Sequence, residues 1–481
     1  MRQFPLEMHH LAPGRVVEWQ LRSTAAQSAS WDDTTARKAS FNQDKHFTVA
    51  EETRGAEDDT ASWLAVTFEV AGSLDESAMA QALLNFTHRH EVLRSTFHRL
   101  VGDLTCKPLP ISELALDLHE AGTFDDSRLL CAFLAERFTG SIDTLAWPLF
   151  TAGAVLRQDS ATVYLAFDHI ICDGMSMPIV VHEVLTAYEA ALRGEQPVLP
   201  PAPSYLDFAD EQRRRYLSID ARDDRLGYWK SFVARNGEFF PRFPLDLGAE
   251  PGRMYPIVNE ASTLLDAEEA ELFEKHCLAA GGKPFMGVLA AAAICLREAG
   301  GPGVYRGFMP VSERGHGPWK HSVGWFVNTM PIEFDASQGQ DFAQVVGRVG
   351  AAFTEMIGHL DVPFVRAWEL LAPKEFAARN WPYPVNFFSY IDMRKCPGAE
   401  RHDDWQPTAH VWAARANGAC TWFQRDAEGL HTNSIYVDTA RARRTMGDLQ
   451  DALRQKVRDL THVGIPSQAV RVSRPTAGRA R

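Results

Sequence analysis

Residues 161–178, ATVYLAFDHIICDGMSMP, constrain the fold more than any other part of the chain. Val163, Leu165 and Phe167 alternate with Thr162, Tyr164 and Ala166, the period-two pattern of a strand. Counting by twos places His169 on the face of Val163, Leu165 and Phe167, and Asp168 on the other. The chain then turns through Asp173 and Gly174 and enters a helix near Ser176. Its apolar positions Val180, Val184, Ala187, Tyr188 and Ala191 recur at three and four until Gly194 stops the run. A neutral His at a strand end can take a proton from an incoming nucleophile. The glycine beside it lets a bulky substrate approach the backbone. A hydrogen-bonded core histidine fits the same residues, and a His-x-x-x-Asp-Gly pattern is short enough to arise by chance. A His–Asp metal pair spaced by four needs a helix face, and this segment reads as strand and turn.

The rest of the chain reads as alternating strands and helices. Strands are expected at 63–70, 93–99 and 149–156, with helices at 127–138 and from a cap at Asp75 to His90. Residues 1–60 carry few periodic signals, and 51–62 reads as a polar loop with five acidic residues. A Pro-rich stretch, 196–203, reads as a linker, followed by a helix carrying the basic run Arg213, Arg214 and Arg215. A second pattern starts after Gly252. Asp266 caps a helix to His276, and 285–297 is apolar nearly all round, so it should be buried. Strands at 304–311 and 322–334 precede helices at 342–357 and 364–371. Strands at 384–391, 408–413, 421–424 and 431–437 precede a last helix at 444–461. The expected division is 1–195, a linker over 196–250, a second half over 251–465, and a disordered tail over 466–481.

Length and charge narrow the function classes. At 481 residues two domains are expected. A net charge of -13 argues against a binder of nucleic acid or anionic membrane. The seven cysteines are scattered without CxxC spacing, so neither a disulfide framework nor a zinc ribbon is expected. Cys172 reads as a small packing residue. The opening lacks a charged-then-apolar leader, and the longest apolar run, 284–296, is too short to cross a bilayer. A cytoplasmic monomer without an integral membrane span is the expectation.

Five motifs in one order then carry a resemblance. DHIICDGMS resembles the HHxxxDGxS signature of nonribosomal peptide condensation domains and their acyltransferase relatives, which share the chloramphenicol acetyltransferase-like fold. RHEVLRSTF (89–97) is similar to RHExLRTxF, and YLDFADEQ (205–212) to YxDFAxWQ. VGWFVNTMPIEF (323–334) is similar to IGxFVNTLPLR, and HLDVPF (359–364) to HQDVPFE. FFPRFPLDLG, VNFFSYIDMRKCPG and the APGRVVEW opening look closest to the polyketide-associated (Pap-type) acyltransferases of actinobacteria. Two departures stand out. Asp168 occupies the position of the family's first histidine, as in some of those acyltransferases, and the usual N-terminal SxAQxRLW motif is not recognisable.

The resemblance implies an α+β fold, a two-layer sandwich in each of two halves that pair into a V-shaped pseudo-dimer. It implies acyl transfer from a thioester, on coenzyme A or the phosphopantetheine of a carrier protein, to a hydroxyl on a small molecule or sugar. It implies no metal and no further cofactor. His169 would be the general base, or would position and stabilise the intermediate. Asp173 would pair structurally with Arg314, and Gly174 would keep the approach open. Ser176 would donate near the oxyanion or cap its helix. Trp325 and Asn328, together with Asp168 and Ser176, would line the substrate channel between the halves. Asp168 would sit behind the reacting centre, holding a basic group or backbone N–H groups. Arg89, Arg94, Arg99 or the Arg213–Arg215 run would dock an acidic carrier, or else form solvated faces. Amide-forming condensation and an inactive carrier-recruiting scaffold are the competing readings.

Overall fold

The structure is a computed structural model that describes residues 1–24, 36–54, 61–377 and 384–462. The expected disordered tail, 466–481, lies outside the described residues. Strand Ser160–Asp168 runs through the middle of a seven-stranded sheet. Across that sheet the order is Arg2–Gln3, Thr408–Ala413, Ser62–Ala71, Ser160–Asp168, Phe150–Leu156, Arg15–Ser23 and Leu114–Thr123. The alternation seen in the sequence sorts the two faces. Val163, Leu165 and Phe167 join a core with helices Glu76–Arg89 and Ser176–Leu192. Tyr164 and Ala166 pack instead against helix Ser127–Ser141. Tyr164, though buried, keeps its hydroxyl satisfied by donating to Glu18 Oε1 at 3.2 Å, and Arg137 neutralises that carboxylate.

The second sheet has six strands in the order Ile257–Asp266, Gly429–Val437, Ala419–Arg425, Asn386–Asp392, Val304–Ser312 and Val327–Asp335. Helices Ala267–Ala279, Pro284–Glu298, Phe342–Ile357 and Ala440–His462 accompany it. The Ala-rich helix Pro284–Glu298 is buried along most of its length, as its all-round apolar character predicts. A small third sheet pairs Arg37–Lys38, Asp103–Pro108 and Ser95–Leu100. Two halves of mixed sheet and helix thus face each other.

The halves are tied together in ways that a cut by residue range does not describe. Strand Thr408–Ala413 comes from the second half but inserts into the first sheet, antiparallel to Ser62–Ala71. There Trp412 stacks on Trp63 with centroids 5.8 Å apart. The 196–250 linker is itself built structure. Tyr205, Leu206 and Ala209 enter the first core, and Tyr216, Trp229, Phe232, Phe239 and Phe240 enter the second.

Three local readings need correction. The quiet N-terminal region contains strand Arg15–Ser23 and helix Phe41–Thr53, whose end takes up the start of the supposed 51–62 loop. Residues 55–60 lie outside the description. The expected 322–334 strand begins only at Val327. Residues 322–326 form a separate loop, in which a Cβ at Gly324 would collide with the Tyr205 ring.

Candidate active site

The strand ends at Asp168, and His169 opens a short turn, His169–Ile171. The Asp168 carboxylate caps that turn by accepting the Ile170 N–H at 2.7 Å. It also accepts the Thr144 hydroxyl at 2.6 Å and lies 3.1 Å from His46 Nε2. Burial opposes ionisation here, but His46, Thr144 and the Ile170 amide outweigh it and hold the carboxyl below its ordinary range. The Asp168 carboxylate is thus engaged by a basic side chain, a hydroxyl and a backbone N–H.

His169 is half-buried, and its ring lies 4.0 Å from that of Trp325, tilted by 39°. Its Nδ1 is buried without a hydrogen-bond partner, although the residue's own carbonyl favours a proton on the ring. Burial first, and the nearby His46 second, push the imidazole's pKa below 6.5. A ring in that state is neutral and able to accept a proton at neutral pH.

Asp173 turns away from His169 into a closed network. Its Oδ2 lies 2.7 Å from Arg314 Nη1 and accepts the Phe326 N–H at 3.0 Å. Its Oδ1 accepts both the amide and the hydroxyl of Ser176, at 2.9 and 3.0 Å. Arg314 also donates to the carbonyls of Ser322 and Gly324 and lies over the Phe326 ring. The expected pair of Asp173 with Arg314 is present, and it pins the 322–326 loop onto the first half. Val323 and Phe326 of that loop are buried in the first core.

The remaining expected residues divide. Ser176 is the first residue of its helix, so it is not the side-chain cap. Fully buried, it bonds Asp173, Gly324 and Arg314, which points to fastening the loop and away from holding an oxyanion. Asn328 is buried as well. It accepts the Phe364 N–H at 2.8 Å and donates to the Val362 carbonyl, stapling the HLDVPF segment. Gly174 faces Ile391 of the second half, and a Cβ there would lie at an ordinary 3.8 Å from it. The protein's own packing thus leaves room at this position. Cys172 is fully buried and its thiol pKa is pushed up by that burial, in keeping with a packing role.

The basic residues considered for carrier docking are occupied internally. Arg89 binds Glu183 and the Pro200 carbonyl, Arg94 the Leu109 carbonyl and Glu91, and Arg99 Asp44 and Glu51. Arg213 binds Asp44 and the Ala39 carbonyl, Arg214 binds Asp210, and Arg215 lies over Tyr216. Among the described residues no group of three or more His, Cys, Asp or Glu side chains is placed to hold a metal ion. No single described helix is long and apolar enough to cross a membrane.

His46 is the site residue that the sequence alone does not reveal. It sits on helix Phe41–Thr53, which opens with a capping box between Ser40 and Gln43. Gln43 donates to the Ile170 carbonyl and Asn42 to the Val327 carbonyl, so the helix is docked between the His169 turn and the second half. A signal is nonetheless present in SFNQDKHF. Its Ser40, Gln43, Lys45 and Phe47 fall at the Ser, Gln, Arg and Trp positions of SxAQxRLW, with a basic residue for Arg and an aromatic one for Trp.

Comparison with known proteins places the chain among its relatives. The chain is 27% identical over 381 residues to the 2'-acyl-2-O-sulfo-trehalose (hydroxy)phthioceranyltransferase PapA1 of Mycobacterium tuberculosis, covering 77% of this chain and 72% of that protein. It is 29% identical over 343 residues to a component of the linear gramicidin synthase of Brevibacillus parabrevis, covering 67% of this chain and 4% of that one. The fold superposes on that of the PapA2 acyl transferase with a TM-score of 0.84, at 22% identity, over 96% of this chain and 100% of the other. The condensation-domain signature matches residues 54–380, well over half of the sequence, so the chain belongs to the condensation-domain family and is an acyltransferase.

Proposed function

We propose that this chain transfers an acyl group from a thioester, on coenzyme A or a carrier phosphopantetheine, to a hydroxyl of a sugar or other small molecule in glycolipid or natural-product assembly. One observation carries the reading: the His169 imidazole is half-buried against Trp325 where the loop of one half packs onto the other, and that burial lowers its pKa and favours the neutral form. His169 takes the hydroxyl proton as the oxygen attacks the thioester carbonyl. The tetrahedral intermediate then collapses, the C–S bond breaks, and the imidazolium returns its proton to the departing thiolate. Asp173 takes no part in proton transfer, because its oxygens are engaged by Arg314, Ser176 and Phe326. Similarity to PapA1, whose name specifies a sulfo-trehalose acceptor, supports a hydroxyl acceptor. Similarity to a gramicidin synthase supports the rival amide product, over a smaller share of this chain.

The test offers acyl-coenzyme A and acylated carrier protein in turn, each with a trehalose-type sugar and with an amine acceptor. Thiol release and product mass are followed. The expected result is an ester that alkaline hydroxylamine cleaves, formed with stoichiometric thiol release. An amide product alone, or binding without thiol release, would overturn the reading in favour of condensation or a scaffold.

A further inference from the structure

The unusual residue at the family's first histidine position has an unusual partner, and the two meet beside the reacting imidazole. Asp168 is 2% exposed and holds His46 Nε2 at 3.1 Å. The His46 ring meets Trp325 edge-on, with centroids 5.5 Å apart and planes at 76°. Trp325 in turn lies against His169 at 4.0 Å, and the two imidazoles are 6.4 Å apart. Nothing outside His169 itself hydrogen-bonds its buried Nδ1 among the described residues. A base held by nothing beyond its own residue can turn about its ring bond unless packing prevents it, and misplacement by about 1 Å can cost a hundredfold in rate.

We propose that His46 is a positioning residue: held by Asp168, it presses Trp325 onto His169 and so fixes the direction in which the base presents its free nitrogen. The inference rests on His169 acting as the base. The Trp325 backbone is secured independently, since the Tyr205 hydroxyl donates to the Trp325 carbonyl and also lies 3.0 Å from the hydroxyl of Ser40, the cap of the helix that carries His46. His46 lies three and four residues beyond Gln43 and Asn42, on the helix face those two side chains dock. What His46 adds is therefore control of the Trp325 ring. Aromatic edge contacts of this kind are directional, which suits an orienting role.

A set of single and double variants and one spectrum decide it. His46→Ala should lower kcat about tenfold or more and leave KM within about twofold, as expected for loss of orientation without loss of binding. His46→Phe, which keeps the ring but gives up the Asp168 contact, should retain more of kcat than His46→Ala, whereas His46→Gln, which keeps an N–H for Asp168 but no ring, should resemble His46→Ala. Because the effect runs through Trp325, adding His46→Ala to Trp325→Ala should cost little more than Trp325→Ala alone. In ring-labelled protein the His169 Cε1–H resonance, assigned by its loss in His169→Ala, should shift in His46→Ala. Fully additive losses, a Gln variant better than Phe, or an unmoved resonance with unchanged kcat would each overturn the proposal. If His169→Ala itself retained turnover, the base assignment would fall, while the resonance would still report whether His46 orients that ring.

Discussion

Removing Arg314 should destabilise the protein through the carboxylate it leaves behind. The side chains of Asp173 and Arg314 are only 1% and 6% exposed, and the pair is held at 2.7 Å. Breaking a buried pair by deleting one partner typically costs about 3–5 kcal/mol, because the remaining charge is stranded. With an unfolding entropy of about 2.1 cal/mol/K per residue, a cooperative 481-residue chain has roughly 1 kcal/mol/K, so Arg314→Ala should lower Tm by about 3–5 °C. The assay is a calorimetric melt at pH 7, with Asp173→Asn/Arg314→Met as the control. That double variant removes both charges, so it should melt closer to wild type than Arg314→Ala does. Arg314 also holds the Ser322 and Gly324 carbonyls, so the single variant should lose activity along with stability. A Tm within about 1 °C of wild type, or a double variant worse than the single, would mean that the pair is not under the stress of burial described here.

Further consequences follow from the titrating groups and the Asp168 cap. Because burial and His46 lower the His169 pKa, the imidazole stays neutral below its ordinary 6.5, so the acid limb of kcat/KM should inflect below that pH; an inflection at 7 or above would contradict this. Burial raises the Glu313 carboxyl from its ordinary 4.5 to about 8, despite Arg215 and the Gln212 hydrogen bond. A raised acid contributes its stability below pH 4.5 and loses it as pH climbs through about 8, so Glu313→Gln should gain in Tm over wild type as melts move from pH 5 to pH 8. Asp168→Asn should keep much of the activity, because an amide oxygen can still accept the Ile170 N–H, whereas Asp168→Ala should cost more in steady-state kcat.

The sequence revealed the site where local chemistry and chain order coincide. Period-two alternation ended at Asp168, and the Asp173-Gly174 turn preceded a helical stripe, so the strand, turn and helix that carry His169 were readable. The partnership of Asp173 with Arg314 spans 141 residues, and it came from motif resemblance, since no spacing rule reaches that far. His46 was hidden because its helix has a weak apolar stripe, with only Phe41, Gln43, Phe47 and Thr53 buried, and two of those are polar. Its capping box was the readable mark. Alternation alone puts Trp325 and Asn328 on one strand, but Gly324 and the Tyr205 contact break it, so Trp325 reaches His169 while Asn328 turns to Val362 and Phe364. The insertion of Thr408–Ala413 into the first sheet is a tertiary choice between two available sheet partners, which local alternation cannot encode.

Whether His169 is the base for acyl transfer is decided by thioester turnover of purified His169→Ala measured alongside its melting curve. The expected result is a loss of at least about a hundredfold in kcat with an unchanged melt, as removal of a general base typically gives. Turnover near the wild-type rate in a fully folded variant would remove His169 from the mechanism.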